Sequence, residues 1–151
     1  MSSSSCEVVA MIKHKKMTLI TDKIEYQNNN LARGEFKLKP LLSREIKKMT
    51  EHVYFTRLNI KIETTMENPF PINLTISLRG VFEFDNVFNE NEITEFLKKE
   101  AVEILYPYLR TLVTNVTTMA LLPPIVLPIV DVSKLFPDNK ESSATFNINI
   151  Q

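Results

Sequence analysis

Apolar and polar residues alternate most clearly over two stretches of the chain. From Tyr54 through Leu58, Ile60 and Ile62 the even positions are mostly apolar, with Arg57, Asn59, Lys61 and Glu63 between them. After Glu67-Asn68-Pro69 the alternation returns, with Ile72, Leu74, Ile76 and Leu78 set against Asn73, Thr75, Ser77 and Arg79. Successive side chains of a strand leave opposite faces, so this period is that of a half-buried antiparallel strand. The short connection makes the two a hairpin. Gly80 then interrupts the pattern ahead of Val81, Phe82 and Phe84, which predicts a bulge or a close backbone contact. Two further strands are predicted upstream. Ile20, Ile24 and Tyr26 share a parity, and Glu35-Phe36-Lys37-Leu38-Lys39 puts its apolar side chains on one face. Asn28, Asn29, Asn30 and Gly34 mark the loop between them, and Pro40 ends or bends the second strand or confines it to an edge.

At Asn89 the period changes. Asn89 and Glu92 have the spacing of a capping box, and Ile93, Phe96, Leu97 and Ala101 recur at helical intervals. Pro107 falls inside the apolar pattern, where it either kinks one long helix or lies in the first turn of a second. The stripe resumes with Leu109, Leu112, Val113, Val116, Met119 and Ala120, against Arg110, Thr111, Thr114, Asn115, Thr117 and Thr118. Threonine is a weak helix former, so this helix depends on tertiary packing. Residues 121–130 then contain only Leu, Ile, Val and Pro. Three prolines forbid a helix there, and so apolar an extended loop needs a cover: its own subunit, a partner, or a bound chain. Predicted strands followed by helix give an α+β fold. Residues 1–10 are expected to be a disordered leader and residues 137–151 a polar tail, in which Phe146, Ile148 and Ile150 alternate.

Composition narrows the chemistry. Only Gly34 and Gly80 are present, where an average chain of 151 residues has roughly ten glycines, so a glycine-rich phosphate loop is excluded. Cys6 is single and His14 and His52 are isolated, which leaves no expected metal site and no cofactor. Eighteen basic and eighteen acidic residues balance, which argues against binding nucleic acid through bulk charge. The basic excess lies before residue 67 and the acidic excess after it, as internal pairing or a docking field would require. No signal-peptide plan opens the sequence and no apolar run is long enough to insert in a membrane, so a reduced cytoplasmic protein is expected. Glu100 and Glu103 share a helix face, His14 lies in a short basic run and Glu51 adjoins His52, but none forms a catalytic constellation. The expectation is that the chain is not an enzyme.

The residues do carry a likeness. Ile104-Leu105-Tyr106-Pro107-Tyr108-Leu109-Arg110 resembles a helix start of the SecB family of protein-export chaperones, followed at matching distance by Leu122-Pro123, Leu127-Pro128-Ile129-Val130 and Leu135-Phe136. Val53-Tyr54, Gly80-Val81-Phe82 and Glu35-Phe36-Lys37-Leu38 also match, the last as the family's second strand, so that residues 11–136 form the SecB-like domain. The resemblance implies a four-stranded antiparallel sheet packed with a long C-terminal helix, assembled as a dimer of dimers. It assigns Pro107 to the start of that helix. It also implies a holdase that keeps preproteins unfolded without ATP for export. Its groove would be lined by Leu41, Leu42, Leu121, Leu122, Ile125, Val126, Leu127, Ile129, Val130, Leu135 and Phe136. The oligomer contact would fall on Tyr108, Leu109, Leu112, Val113 and Val116. Family members dock the SecA motor through carboxylates, and at the corresponding positions this chain has Lys23, Gln27, Asn73 and Thr75. That departure, the neutral charge and a missing final helix keep other readings open: a dedicated chaperone of one partner such as an antitoxin, a structural or assembly protein, or a small-ligand carrier.

Overall fold

A computed structural model describes residues 14–32, 34–131, 135–136, 142–143 and 146–148. In chain order the elements are strands β1 (Lys16–Asn28), β2 (Phe36–Leu38), β3 (Leu41–Thr50), β4 (Val53–Ile62) and β5 (Ile72–Glu83), helices α1 (Glu90–Lys98) and α2 (Glu100–Met119), and short strands β6 (Ser142–Ser143) and β7 (Phe146–Ile148). The main sheet runs β1-β5-β4-β3-β6 with every neighbour antiparallel, so four long strands carry a two-residue addition at one edge. β2 and β7 pair separately. This is the α+β architecture expected. The expected leader, residues 1–10, lies outside the described residues.

Two readings are corrected. The second strand of the sheet is β3, at Leu41–Thr50; the segment Phe36–Leu38 forms only a short ladder outside it. Pro40 separates the two because it has no N–H for a ladder. Pro107 does not start a helix: it lies well inside α2, on its exposed face. The helical break falls instead at Lys99. There Thr56 Oγ1 donates to the Leu97 carbonyl (2.9 Å) and Arg44 Nη1 to that of Lys98 (2.6 Å), so two strands fix the corner between the helices. The start of α1 is the capping box that the spacing predicted, with Glu92 N–H bonded to Asn89 Oδ1 and Asn89 N–H to Glu92 Oε1.

The even-numbered side chains of β4 and β5 form the core. Leu58, Ile60, Ile62, Ile72, Leu74, Ile76 and Leu78 are buried beneath Val102, Leu105, Leu109 and Val113 of α2. A second cluster joins Tyr54, Phe82 and Phe84 to Ile93, Phe96 and Leu97 of α1, with Phe96 edge-on to both sheet phenylalanines. Gly80 resolves as the close contact rather than the bulge. Its register is unbroken on both sides, and a Cβ there would stand 2.9 Å from Leu105 Cδ2 and 3.0 Å from Phe82 Cε2. The absent side chain lets α2 settle onto the sheet.

The bulge is in β1, between Thr21 and Lys23. Asp22, which it displaces, meets both Arg57 Nε (3.0 Å) and Arg79 Nη2 (3.2 Å) on the face away from the helices. Arg57 also reaches Glu45, and Phe55 lies beneath both guanidiniums. Lys15 pairs with Glu83 and Asp85, and Lys48 with Glu90, so part of the charge asymmetry along the chain is internal pairing. Among the described residues no helix is long and apolar enough to cross a membrane.

Forcing a side chain into the contact under α2 should overpack the core. Gly80→Val is expected to lower stability by about 1–3 kcal/mol, measured as the urea unfolding midpoint; an unchanged midpoint would mean that helix and sheet are not in close contact there.

Candidate functional site

The loop after α2 is built on a problem of backbone chemistry. Pro123, Pro124 and Pro128 have no N–H, and an extended run containing them cannot enter a sheet ladder. Its carbonyls still need donors if the apolar side chains beside them are to be buried. Helix α2 supplies them from one stripe. Tyr106 Oη donates to the Pro128 carbonyl, Arg110 Nε to Leu127 and Thr114 Oγ1 to Ile125, each at 2.9 Å. One turn on, the Ile125 N–H donates to Thr117 Oγ1 (3.0 Å), whose own hydroxyl has the carbonyls of Val113 and Thr114 within reach. Burial pushes the Tyr106 phenol above its ordinary range, with the Arg110 guanidinium pulling it partly back, so it remains a donor at neutral pH.

This backbone clamp divides the loop's side chains. Ile125 and Leu127 turn inward and join the core, while Val126 and Ile129 are exposed, Ile129 at 85%. Leu122 and Val130 are half-buried against the core. Leu121 is the extreme case, 92% exposed. It also has φ of 62°, the left-handed conformation that costs an L-residue about 1–2 kcal/mol. Its N–H bonds Thr118 and the Leu122 N–H bonds Thr117, the pairing of a Schellman helix end, where glycine is the usual occupant.

The remaining residues expected at the site divide the same way. Leu42, Leu135 and Phe136 are buried in the chain's own core, and Arg44 stacks on the Phe136 ring 4.7 Å from its centroid. Burial lowers the pKa of that guanidinium from its ordinary value. Leu41, at the start of β3, is about half exposed. Of the residues expected at an oligomer contact, Leu109 and Val113 are buried under the sheet, Leu112 and Val116 half-buried, and Tyr108 exposed. Lys23, Gln27, Asn73 and Thr75 gather on the face of β1 and β5 turned away from the helices. Gln27 is paired with Asn73, and Lys23 bridges to Glu25 at 3.3 Å. Sequence reasoning missed the donor stripe. Its signal was Tyr106, Arg110, Thr114 and Thr117 at successive helical turns before a loop with three prolines.

Thr117→Val removes both the acceptor of a buried N–H and a hydroxyl donor to carbonyls of its own helix. A loss of about 1–3 kcal/mol is expected, with faster proteolysis of the loop; unfolding and cleavage identical to the parent would contradict the clamp.

The family model described as preprotein translocase subunit SecB matches residues 25–143. The chain is 32% identical over 73 residues to an uncharacterized protein of Methanocaldococcus jannaschii, MJ0357, covering 47% of this chain and 45% of that one. It is 30% identical over 86 residues to the protein-export protein SecB of Anaplasma phagocytophilum, covering 56% and 54%. The chain thus spans about half the length of these relatives. In fold it is similar to the SecB-like chaperone Rv1957 of Mycobacterium tuberculosis, solved in complex with a ChAD peptide from the Rv1956 HigA1 antitoxin. That superposition has a TM-score of 0.63 at 15% identity and covers 83% of this chain and 91% of the other. SecB family members are chaperones, not enzymes. Matched by the family model over most of its length, the chain belongs to the SecB family.

Proposed function

We propose that the chain is an ATP-independent holdase that keeps client polypeptides unfolded in the cytoplasm, gripping extended apolar segments on the outer side of the loop at residues 121–130. The observation that carries this reading is the clamp. A loop whose backbone is fixed by α2 still turns Leu121, Val126 and Ile129 outward. Exposed apolar groups on a fixed backbone suit a binding surface, and apolar attraction is non-directional, so it tolerates many client sequences. Leu121 adds to the argument, because a strained leucine is kept where glycine would fit without strain. In this reading Leu41, Leu122 and Val130 border the grip. Leu42, Ile125, Leu127, Leu135 and Phe136 support it from beneath. Copies of the chain assemble, as a tetramer, through the outward stripe of α2 at Tyr108, Leu112 and Val116.

For the clients themselves, preproteins awaiting export are the first reading. A dedicated chaperone of one partner is the second, favoured by the sheet face at Lys23, Gln27, Asn73 and Thr75. That face has no carboxylate at these four positions with which to hold SecA. Titrating the protein against a polypeptide in unfolded and folded forms, without nucleotide, tests both. Binding to many unfolded polypeptides supports export; binding to one partner alone supports the dedicated chaperone. A protein that ignores every unfolded chain and only self-assembles has a structural role, and one that takes up an apolar dye stoichiometrically but no polypeptide is a carrier.

Leu121→Gly separates fold from function by sign. Relief of the left-handed strain is expected to raise stability by about 1 kcal/mol. Loss of the exposed side chain is expected to weaken binding to an unfolded client by about threefold to tenfold. Stability and affinity moving in the same direction would contradict the role given to Leu121.

A further inference from the structure

We propose that the C-terminal strands β6 and β7 occupy the chain's own polypeptide-binding edge, and that an incoming client must displace them. The inference rests on the chaperone reading above but comes from a different observation, the backbone pairing of the tail. Ser142 and Ser143 lie beside Leu42 and Leu41 on the outer edge of β3. Phe146, Asn147 and Ile148 lie beside Leu38, Lys37 and Phe36 of β2. Both ladders are antiparallel and share one register across Lys39-Pro40: each step forward along Phe36–Leu42 is one step back along the tail. The two described tail strands therefore run along their hosts in one direction and one register, which is the geometry of strand addition to an open edge.

The host edge has the chemistry of a general polypeptide site. Its ladder is made by main-chain groups, which every polypeptide carries, so any extended segment can replace the tail. Behind it lie apolar side chains: Leu38 and Leu42 are buried in the cluster that contains Leu135 and Phe136, and Phe36 packs against that cluster. The tail sequence is itself client-like, with Phe146, Ile148 and Ile150 alternating with Asn147 and Asn149.

The occupant is also displaceable. β2 and β7 form an isolated two-stranded ladder of three residue pairs, and such ladders are marginal in water. Among the described residues no strand lies on the outer edge of β3 from Ser43 to Thr50, so a client can begin pairing there and advance toward Leu41. Because the tail is tethered, it competes at a high effective concentration. The unaltered chain should therefore hold clients more weakly than its open edge allows.

The test keeps the full chain. A variant carrying Ser142→Pro, Ser143→Pro and Asn147→Pro cannot complete either ladder. Fluorescence anisotropy with a reduced, carboxymethylated polypeptide that cannot refold should give the variant a dissociation constant about tenfold lower than that of the parent. A synthetic peptide of residues 137–151 should compete with the client on the variant, and in excess on the unaltered chain, which guards against misfolding of the variant. Equal client affinity in both proteins would overturn the proposal, as would weaker binding by the variant, because the tail would then be idle or part of the grip. If neither protein binds the client, the chaperone reading falls and takes this one with it.

Discussion

The structure turns on the hydrogen bonds that α2 makes to the carbonyls of the loop following it. A run of Leu, Ile, Val and Pro has apolar side chains that seek burial and a backbone that no sheet or helix will accept. Tyr106, Arg110 and Thr114 meet the carbonyls of Pro128, Leu127 and Ile125, and Thr117 takes the Ile125 N–H. Only with those groups satisfied can Ile125 and Leu127 enter the core without leaving buried polar atoms unpaired. The alternation of side chains along an extended backbone then sends Val126 outward, and Ile129 follows it. The apolar outer surface is thus a consequence of how the inner surface is held.

The clamp needs α2 to sit firmly on the sheet. Gly80 lets Leu105 approach, and Thr56 and Arg44 pin the corner before α2. Arg44 has a second role, since its ring contact with Phe136 ties that corner to the segment beyond the loop. One strand pair, β3 and β4, therefore holds both the corner before α2 and the segment beyond the loop. On the opposite face the bulge at Asp22 draws Arg57 and Arg79 together over Phe55, which leaves a surface of paired charge. The far side of the sheet thus carries paired charge, and the exposed apolar side chains of the loop belong to the segment that α2 clamps.

Where periodicity was clean the sequence was readable. Leu58–Ile62 of β4 and Ile72–Leu78 of β5 alternate cleanly because one face is core and the other faces away from the helices, and the Asn89–Glu92 spacing fixed the start of α1. β3 was invisible for a physical reason. Its inward positions include Arg44, which serves the helix corner, and Lys48, which meets Glu90 at the start of α1; they lie against the rings of Phe136 and Tyr54, so the apolar alternation is broken. Pro107 was misplaced at a helix start because a proline on an exposed helical face removes one hydrogen bond that water can replace, and periodicity does not reveal that. At the site, composition marked the loop, but not which of its residues turn inward. That division is set by donors on another element, which a one-dimensional pattern does not contain.

Site-directed photo-crosslinking to an unfolded polypeptide tests the central claim most directly, with the reactive group placed in turn at Leu121, Val126 and Ile129, and at Gln27 and Thr75 on the far face of the sheet, two strands or more from the β3 edge. The account predicts crosslinks to the client from the three loop positions and none from the two sheet positions. Crosslinks from the sheet face alone, or from all five positions equally, would contradict it.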